Sequence, residues 1–281
     1  MARVIRIGYF CTGGQTELGA RTLESGVREL TAIDAFLRKI SPEIAWERAF
    51  PAREKPGPKH KPGSAPASFK HPSASGVTGR TLERTMRERL EKYYRGADCK
   101  FDAIVLIDDA DCRFRDDAHR KSWLEEREQE VRESTARPEL PFVALLASPE
   151  VESWLLADWE EGFGQEYDSI QVNFCRALEQ ELLGERPWVR VEAFGGPFDP
   201  QKGSCTRKLS TEIQKVLERL AMEKGEAADR RTYTYSKREN GPDMLRRIRP
   251  DKAAETCRLM LRPAILALRD LARRASQDPS S

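Results

Sequence analysis

A chain of 281 residues with 39% hydrophobic and 33% charged residues has enough apolar content for a sizeable core beneath a solvent-rich surface, as one enlarged α/β domain or as two units. Its formal net charge of +2 excludes a whole-molecule field strong enough to gather nucleic acid, so any such affinity must come from local patches. Apolar runs no longer than those like Phe142 to Ala147 exclude a spanning helix. Six cysteines without C-x-x-C spacing, far from the three histidines, argue against zinc; the first residues lack a signal peptide's apolar region, so the cytoplasm is the expected location.

In chain order, the first elements read β-α-β. "VIRIGYF" (Val4 to Phe10) predicts a strand, "CTGGQTE" a turn, Glu17 to Ile40 a helix by its apolar spacing, and Glu43 to Phe50 a second strand. Residues 51–79 are rich in Pro, Gly, Ser and Lys and poor in periodic apolar residues, a composition that cannot offset the entropy of ordering. They are expected to form a mobile basic insertion in which Lys55, Lys59, Lys61 and Lys70 meet nucleic acid, or equally a solvated linker.

Arg80 to Gly96 predicts a helix and Phe101 to Cys112 a buried strand ending in acids. A charged helix (Asp116 to Ser134), a strand (Leu140 to Ser148) and a helix with Pro near its start (Pro149 to Trp159) follow. Near-continuous apolar strands alternating with helices predict an α/β fold, a parallel sheet with helices on both faces, with no readable strand order. This part spans 1–160. From 161 to 275 three amphipathic stretches predict a mostly helical C-terminal part, interrupted by the Lys- and Arg-rich segment Tyr233 to Pro250; 276–281 is expected to be a disordered tail.

In open parallel sheets ligands gather beyond the carboxyl ends of the strands, where "CTGGQTE", "DDAD" and "SPEVESW" arrive. If the strand persists through Asp111, Asp109 and Asp111 leave on one face with Cα atoms roughly 7 Å apart, and Asp108 points the other way. Oxygen-only ligands there suit Mg²⁺ or Mn²⁺; solvated acids with a helix cap are the alternative. Glu17 and Glu152, each at a helix start, could reach the same edge or simply favour the helix dipole. Trp154, Leu155 and Leu156 are expected to pack a helix onto the sheet, and His119 to be exposed. No Gly-x-x-x-x-Gly-Lys-Ser/Thr occurs, which excludes P-loop nucleotide hydrolysis.

A strand leading to a turn with Glu17, then a strand ending Asp109-x-Asp111, resembles the toprim domain of topoisomerases, primases and overcoming-lysogenization-defect nucleases. "ESWLLAD" (Glu152 to Asp158), "DPQKG" (Asp199 to Gly203), "YSK" (Tyr235 to Lys237) and "GPDMLRRI" (Gly241 to Ile248) are similar to a toprim-related family whose genes often neighbour ABC-type ATPases. The resemblance implies a Rossmann-like parallel core and a divalent-metal-dependent nuclease of an antiphage defence system with an ATPase partner. By the same resemblance, Glu17, Asp109, Asp111 and Glu152 would hold Mg²⁺ or Mn²⁺; Glu17, Asp109, Asp111 and Lys237 would be catalytic, and Lys237 with Arg238 would meet nucleic acid. Where that family's turn begins with Glu, this chain has Gly13, so the enzyme reading requires another acid, such as Asp108 or Glu150, in that ligand's place. The other implied possibility is a catalytically impaired subunit that binds nucleic acid or a partner.

Overall fold

Four short apolar stretches become strands of the computed structural model: β1 (Ile5–Cys11), β2 (Ile44–Phe50), β3 (Ala103–Asp109) and β4 (Phe142–Ala147). All pair in parallel, in the order β2-β1-β3-β4. The described residues are 4–12, 14–19, 30–51, 77–199, 201, 204–225, 229 and 231–277. Gly13, the stretch with Lys55, Lys59, Lys61 and Lys70, and residues 278–281 lie outside them, and so do the readings placed on them.

Side chains alternate across a strand, so each apolar run splits between two cores. Tyr9, Val105, Ile107 and Leu145 join one core with α2 (Ala32–Arg38), α5 (Glu152–Ala157) and helices of the C-terminal part. Phe10, Ile104 and Leu106 join the other with α3 (Gly79–Tyr93) and Val131 of α4 (Asp117–Thr135). The first core runs without a break into α8 (Leu209–Lys224), α9 (Gly241–Arg247), α10 (Pro250–Thr256) and α11 (Leu261–Gln277), so the helical part shares its apolar centre with the sheet. Trp154, Leu155 and Leu156 are buried in it as expected, with Trp154 stacked on Phe36 at 5.2 Å between centroids.

The order has a functional consequence. From β1 the chain crosses to β2 on one side and then to β3 on the other side of β1. The connections leaving β1 and β3 therefore diverge, and the crevice beyond their carboxyl ends is the switch point at which open α/β sheets take ligands.

Three sequence expectations change. β3 ends at Asp109 instead of running to Cys112, because Asp111 (φ 47°) and Cys112 (φ 58°) adopt left-handed backbone. The stretch 251–275 is two helices; the break is capped by buried Glu192, whose carboxylate accepts from the N–H groups of Leu259 (2.6 Å), Met260 (2.9 Å) and Leu261 (3.4 Å). The stretch Glu17 to Ile40 is not one helix: α1 (Gln15–Leu18) ends before Gly19, and α2 begins only after Thr31, whose side chain caps it. Cys112 and Cys205 form a disulfide tying the loop after β3 to β6 (Ser204–Cys205), which pairs with β5 (Phe198–Asp199). Among the described residues no helix is long and apolar enough to cross a membrane.

Candidate functional site: a carboxylate and lysine cluster

Alternation decides which acid goes where. Odd residues of β3 face the core shared with the C-terminal helices and even residues face α3. Asp109 continues the odd set and Asp108 the even one. Asp108 is accordingly buried against Arg113 Nη2 (2.7 Å) and the N–H of Gly79 (2.9 Å). Arg113 also reaches Glu83 (3.2 Å), which fixes the start of α3 to the loop after β3. Asp109 turns to the opposite side, where its Oδ1 accepts from the N–H of Val151 at 3.0 Å, just before α5.

Four carboxylates meet there. Glu17 stands in α1 (Gln15–Leu18), Asp109 ends β3, and Glu150 and Glu152 lead into α5; Glu17, Glu150 and Glu152 are under 9% exposed and Asp109 is half-buried. One ammonium serves them: Lys237 Nζ lies 3.2 Å from Glu150 Oε1 and 3.1 Å from Glu152 Oε2, the latter contact lacking hydrogen-bond alignment. Tyr235 Oη donates to Glu152 Oε1 at 2.6 Å, and Glu150 Oε2 accepts from the N–H of Ser210 at 3.0 Å. Thr16 Oγ1 donates to the carbonyl of Lys237 at 3.0 Å, tying α1 to the lysine's own turn. Gly241 packs so closely on Thr16 that a Cβ there would stand 2.6 Å from its Oγ1.

The electrostatics follow from this count of charges. Burial pushes the Glu17 carboxyl up to about 7, with repulsion from Glu152 adding to it and Lys237 opposing it. Burial likewise raises Asp109 well above the usual carboxylate range, with Glu17 and Glu152 adding to the shift and Lys237 opposing it. Burial works against the charge of Lys237, yet Glu152, Asp109 and Glu150 together outweigh it and raise its pKa. Glu150 also resists burial and is held low by Lys237 and Ser210.

Of the residues singled out in sequence, Glu17, Asp109, Glu152 and Lys237 come together. Asp111 does not share Asp109's face: its left-handed backbone turns it to the rim, where burial raises its carboxyl to about 6 while Lys208 and Arg113 lower it. Arg238 is exposed. His119 is half-buried, with Nδ1 accepting from the N–H of Arg115 at 3.3 Å, because Phe114 packs edge-on beside it. Of the two acids named as replacements for the Glu absent at Gly13, Glu150 joins the cluster and Asp108 does not. Sequence reasoning missed Tyr235 and Ser210 as members; only spacing hinted at the first, since Tyr235 precedes Lys237 by two residues. The Asp of "ESWLLAD" works elsewhere: Asp158 Oδ2 accepts from the N–H of Arg249 at 2.7 Å, opening α10.

The donors are all oxygen and carry more negative charge than Lys237 offsets, a set whose chemistry fits a hard divalent cation. Among the described residues, however, no three His, Cys, Asp or Glu side chains already converge as metal ligands do. Set against known proteins, the chain matches no family model, no curated protein and no solved structure.

Proposed function

We propose that the chain is a divalent-metal-dependent phosphodiester hydrolase of the toprim type, acting on nucleic acid, with Glu17, Asp109, Glu152 and Lys237 as its working residues. One observation carries the reading: at the sheet's switch point, buried carboxylates crowd one lysine ammonium, and Glu17 and Asp109 are driven toward the protonated form. Such an excess of negative charge is relieved by protons or by a cation. Glu152 Oε2, fully buried and 3.1 Å from the Lys237 ammonium without hydrogen-bond alignment, keeps a lone pair for that purpose.

Glu17, Asp109 and Glu152 would hold Mg²⁺ or Mn²⁺, which when bound lowers the pKa of water and takes up charge on a phosphate oxygen. The chain's own residues do the rest. Lys237 presents positive charge to the transferring phosphate. Tyr235 fixes Glu152 through its 2.6 Å hydrogen bond, and the N–H of Val151 fixes Asp109. Glu150 and Ser210 hold the ammonium in place, so Glu150 is a positioning residue. An ABC-type ATPase as partner, a defence setting and the cytoplasm belong to the same proposal through the sequence resemblance.

A second reading, a non-catalytic subunit that binds nucleic acid or a partner, draws support from the lack of three converging ligands among the described residues and from Lys237 engaging Glu150 and Glu152. Cleavage of single-stranded DNA, duplex DNA and RNA with Mn²⁺, by wild type and by Asp109→Asn, separates the two. Metal-dependent cleavage lost in the variant supports the hydrolase; no cleavage of any substrate, with nucleic-acid binding intact, supports the binding subunit.

A further inference from the structure

A second concave site lies on the opposite side of β3 from the carboxylate cluster. It is a cleft of about 800 Å³ between α3 and α4, lined also by Asp111 and Arg113 of the loop after β3 and by Phe198 of β5. That volume is in the range of a small-ligand site, roughly 300 to 1,000 Å³.

The two walls differ in chemistry. Along α3, Arg80, Arg84 and Arg87 follow at i, i+4 and i+7, which sets them in one stripe. All three are exposed. Among the described residues Arg80 and Arg87 have no ion pair, and Arg84 has only a loose one, 3.9 Å to an equally exposed Glu88. The deeper arginines are already committed: Arg113 to Asp108 and Glu83, and Arg127 to Glu83 (2.5 Å) and Glu130 (3.0 Å). The acids of the cleft thus neutralise the inner arginines and leave the α3 stripe uncompensated. The other wall sets aromatic rings beside Glu126 and Glu130, which pair with Arg127. Phe114 and Trp123 meet edge to face at 5.4 Å, both half-buried, and Phe198, 38% exposed, also lines the cleft.

From this juxtaposition we infer that the cleft binds a nucleoside phosphate. The arginine stripe takes the phosphates, since guanidinium groups match phosphate oxygens bidentately, and Phe114 and Trp123 take the base by stacking. The unit has two sources, a free nucleotide or the end of a single strand, and they are told apart below. None of Glu17, Glu152 or Lys237 lines the cleft, so the inference goes beyond the hydrolase reading and stands without it.

The test is calorimetric titration of the full chain, in EDTA so that the metal reading plays no part, with AMP, adenosine, inorganic phosphate and a short 5′-phosphorylated oligothymidylate. AMP or the oligonucleotide should bind, with adenosine and phosphate each weaker by about tenfold or more because each keeps half of the contacts. The exposed pair Arg80→Gln with Arg87→Gln, and separately Trp123→Leu, should weaken the bound probe by about tenfold, while Lys252→Gln, an exposed substitution in neither site, leaves it unchanged. Binding of AMP as tight as the oligonucleotide identifies a free nucleotide; binding of the oligonucleotide alone identifies a strand end. Failure of all four probes to bind, or affinity untouched by the arginine pair in a protein of unchanged melting temperature, overturns the inference.

Discussion

Asp108 and Asp109, adjacent in the chain, serve opposite sides of the sheet: Asp108 is bound 2.7 Å from Arg113 beside α3, whereas Asp109 faces Lys237, Glu17 and Glu152 beneath the C-terminal helices. Stability and function should therefore separate between them. Asp108→Ala leaves Arg113 without its closest acid and should cost about 3 to 5 kcal/mol, the range for removing one partner of a buried pair. Asp109→Asn removes a repelled charge, so the fold should hold or gain stability while, under the hydrolase reading, metal binding and cleavage vanish. Denaturant unfolding of both variants beside a cleavage assay checks the split; an Asp108→Ala protein as stable as wild type would show that the Arg113 contact contributes little.

Glu17 should make the metal-free protein less stable as pH rises. Its carboxyl moves from 4.5 to about 7 on folding, chiefly by burial, so between those values the native state keeps a proton that the unfolded chain has released. The contribution is fully present below 4.5 and lost as pH climbs through 7. Asp111, moved from 3.8 to about 6 with burial as its leading cause, acts in the same direction. Glu150, held low, has its effect at acid pH, below its usual range. Melting in EDTA should thus decline from pH 5 to pH 8. Glu17→Gln should flatten that decline and stabilise the protein at pH 8 by on the order of 2 kcal/mol. A variant with the wild-type slope would place the titration elsewhere.

What the sequence made legible, and what it did not, divides along local and non-local lines. The apolar run before Asp108 announced a strand covered on both faces, and alternation correctly sent Asp108 away from Asp109. The same rule misplaced Asp111, because alternation ends where the strand ends. That end is set by contacts distant in the chain: the N–H of Asp111 donates to the carbonyl of Pro149 at 2.9 Å, and Cys112 is joined to Cys205. Glu17, Glu152 and Lys237 could be nominated from helix starts and family likeness. Their meeting depends on the strand order and on the packing of Gly241 against Thr16, which leave no local pattern. The cleft beside α3 was missed for a related reason: the arginine stripe reads as a solvated helix face until α4 supplies the opposite wall.

The disulfide between Cys112 and Cys205 should tie stability to redox state. It bridges 93 residues and ends in the loop that carries Asp111. A cross-link over a loop of that length contributes about 4 to 5 kcal/mol by restricting the unfolded chain. Cys112→Ser with Cys205→Ser, or treatment with a thiol reductant, should lower the melting temperature by that equivalent. Under the hydrolase reading, the Asp109 cluster should keep its metal response. Equal melting of the oxidised and reduced chains, with the bond confirmed by mass spectrometry, would show that the link adds nothing to stability.

Lys237 offers the sharpest separation of the two functional readings. Its ammonium is the positive charge facing Glu150, Glu152 and Asp109. Lys237→Met keeps the length of the side chain and removes the charge, leaving buried carboxylates to repel one another. Loss of one partner from a buried pair costs about 3 to 5 kcal/mol, and because Lys237 is 36% exposed the expected loss at pH 8 is nearer 2 kcal/mol. A divalent cation that binds among the acids can replace the missing charge and stabilises the native state by mass action. Under the hydrolase reading, millimolar Mg²⁺ should therefore raise the melting temperature of Lys237→Met by more than it raises that of wild type. Cleavage should nevertheless stay lost, because the ion does not restore the ammonium's contact with the phosphate. A subunit that only binds partners should show no Mg²⁺-dependent rise in either protein. Thermal melts of both, with and without Mg²⁺, at pH 8 where Glu17 is largely ionised, decide between them.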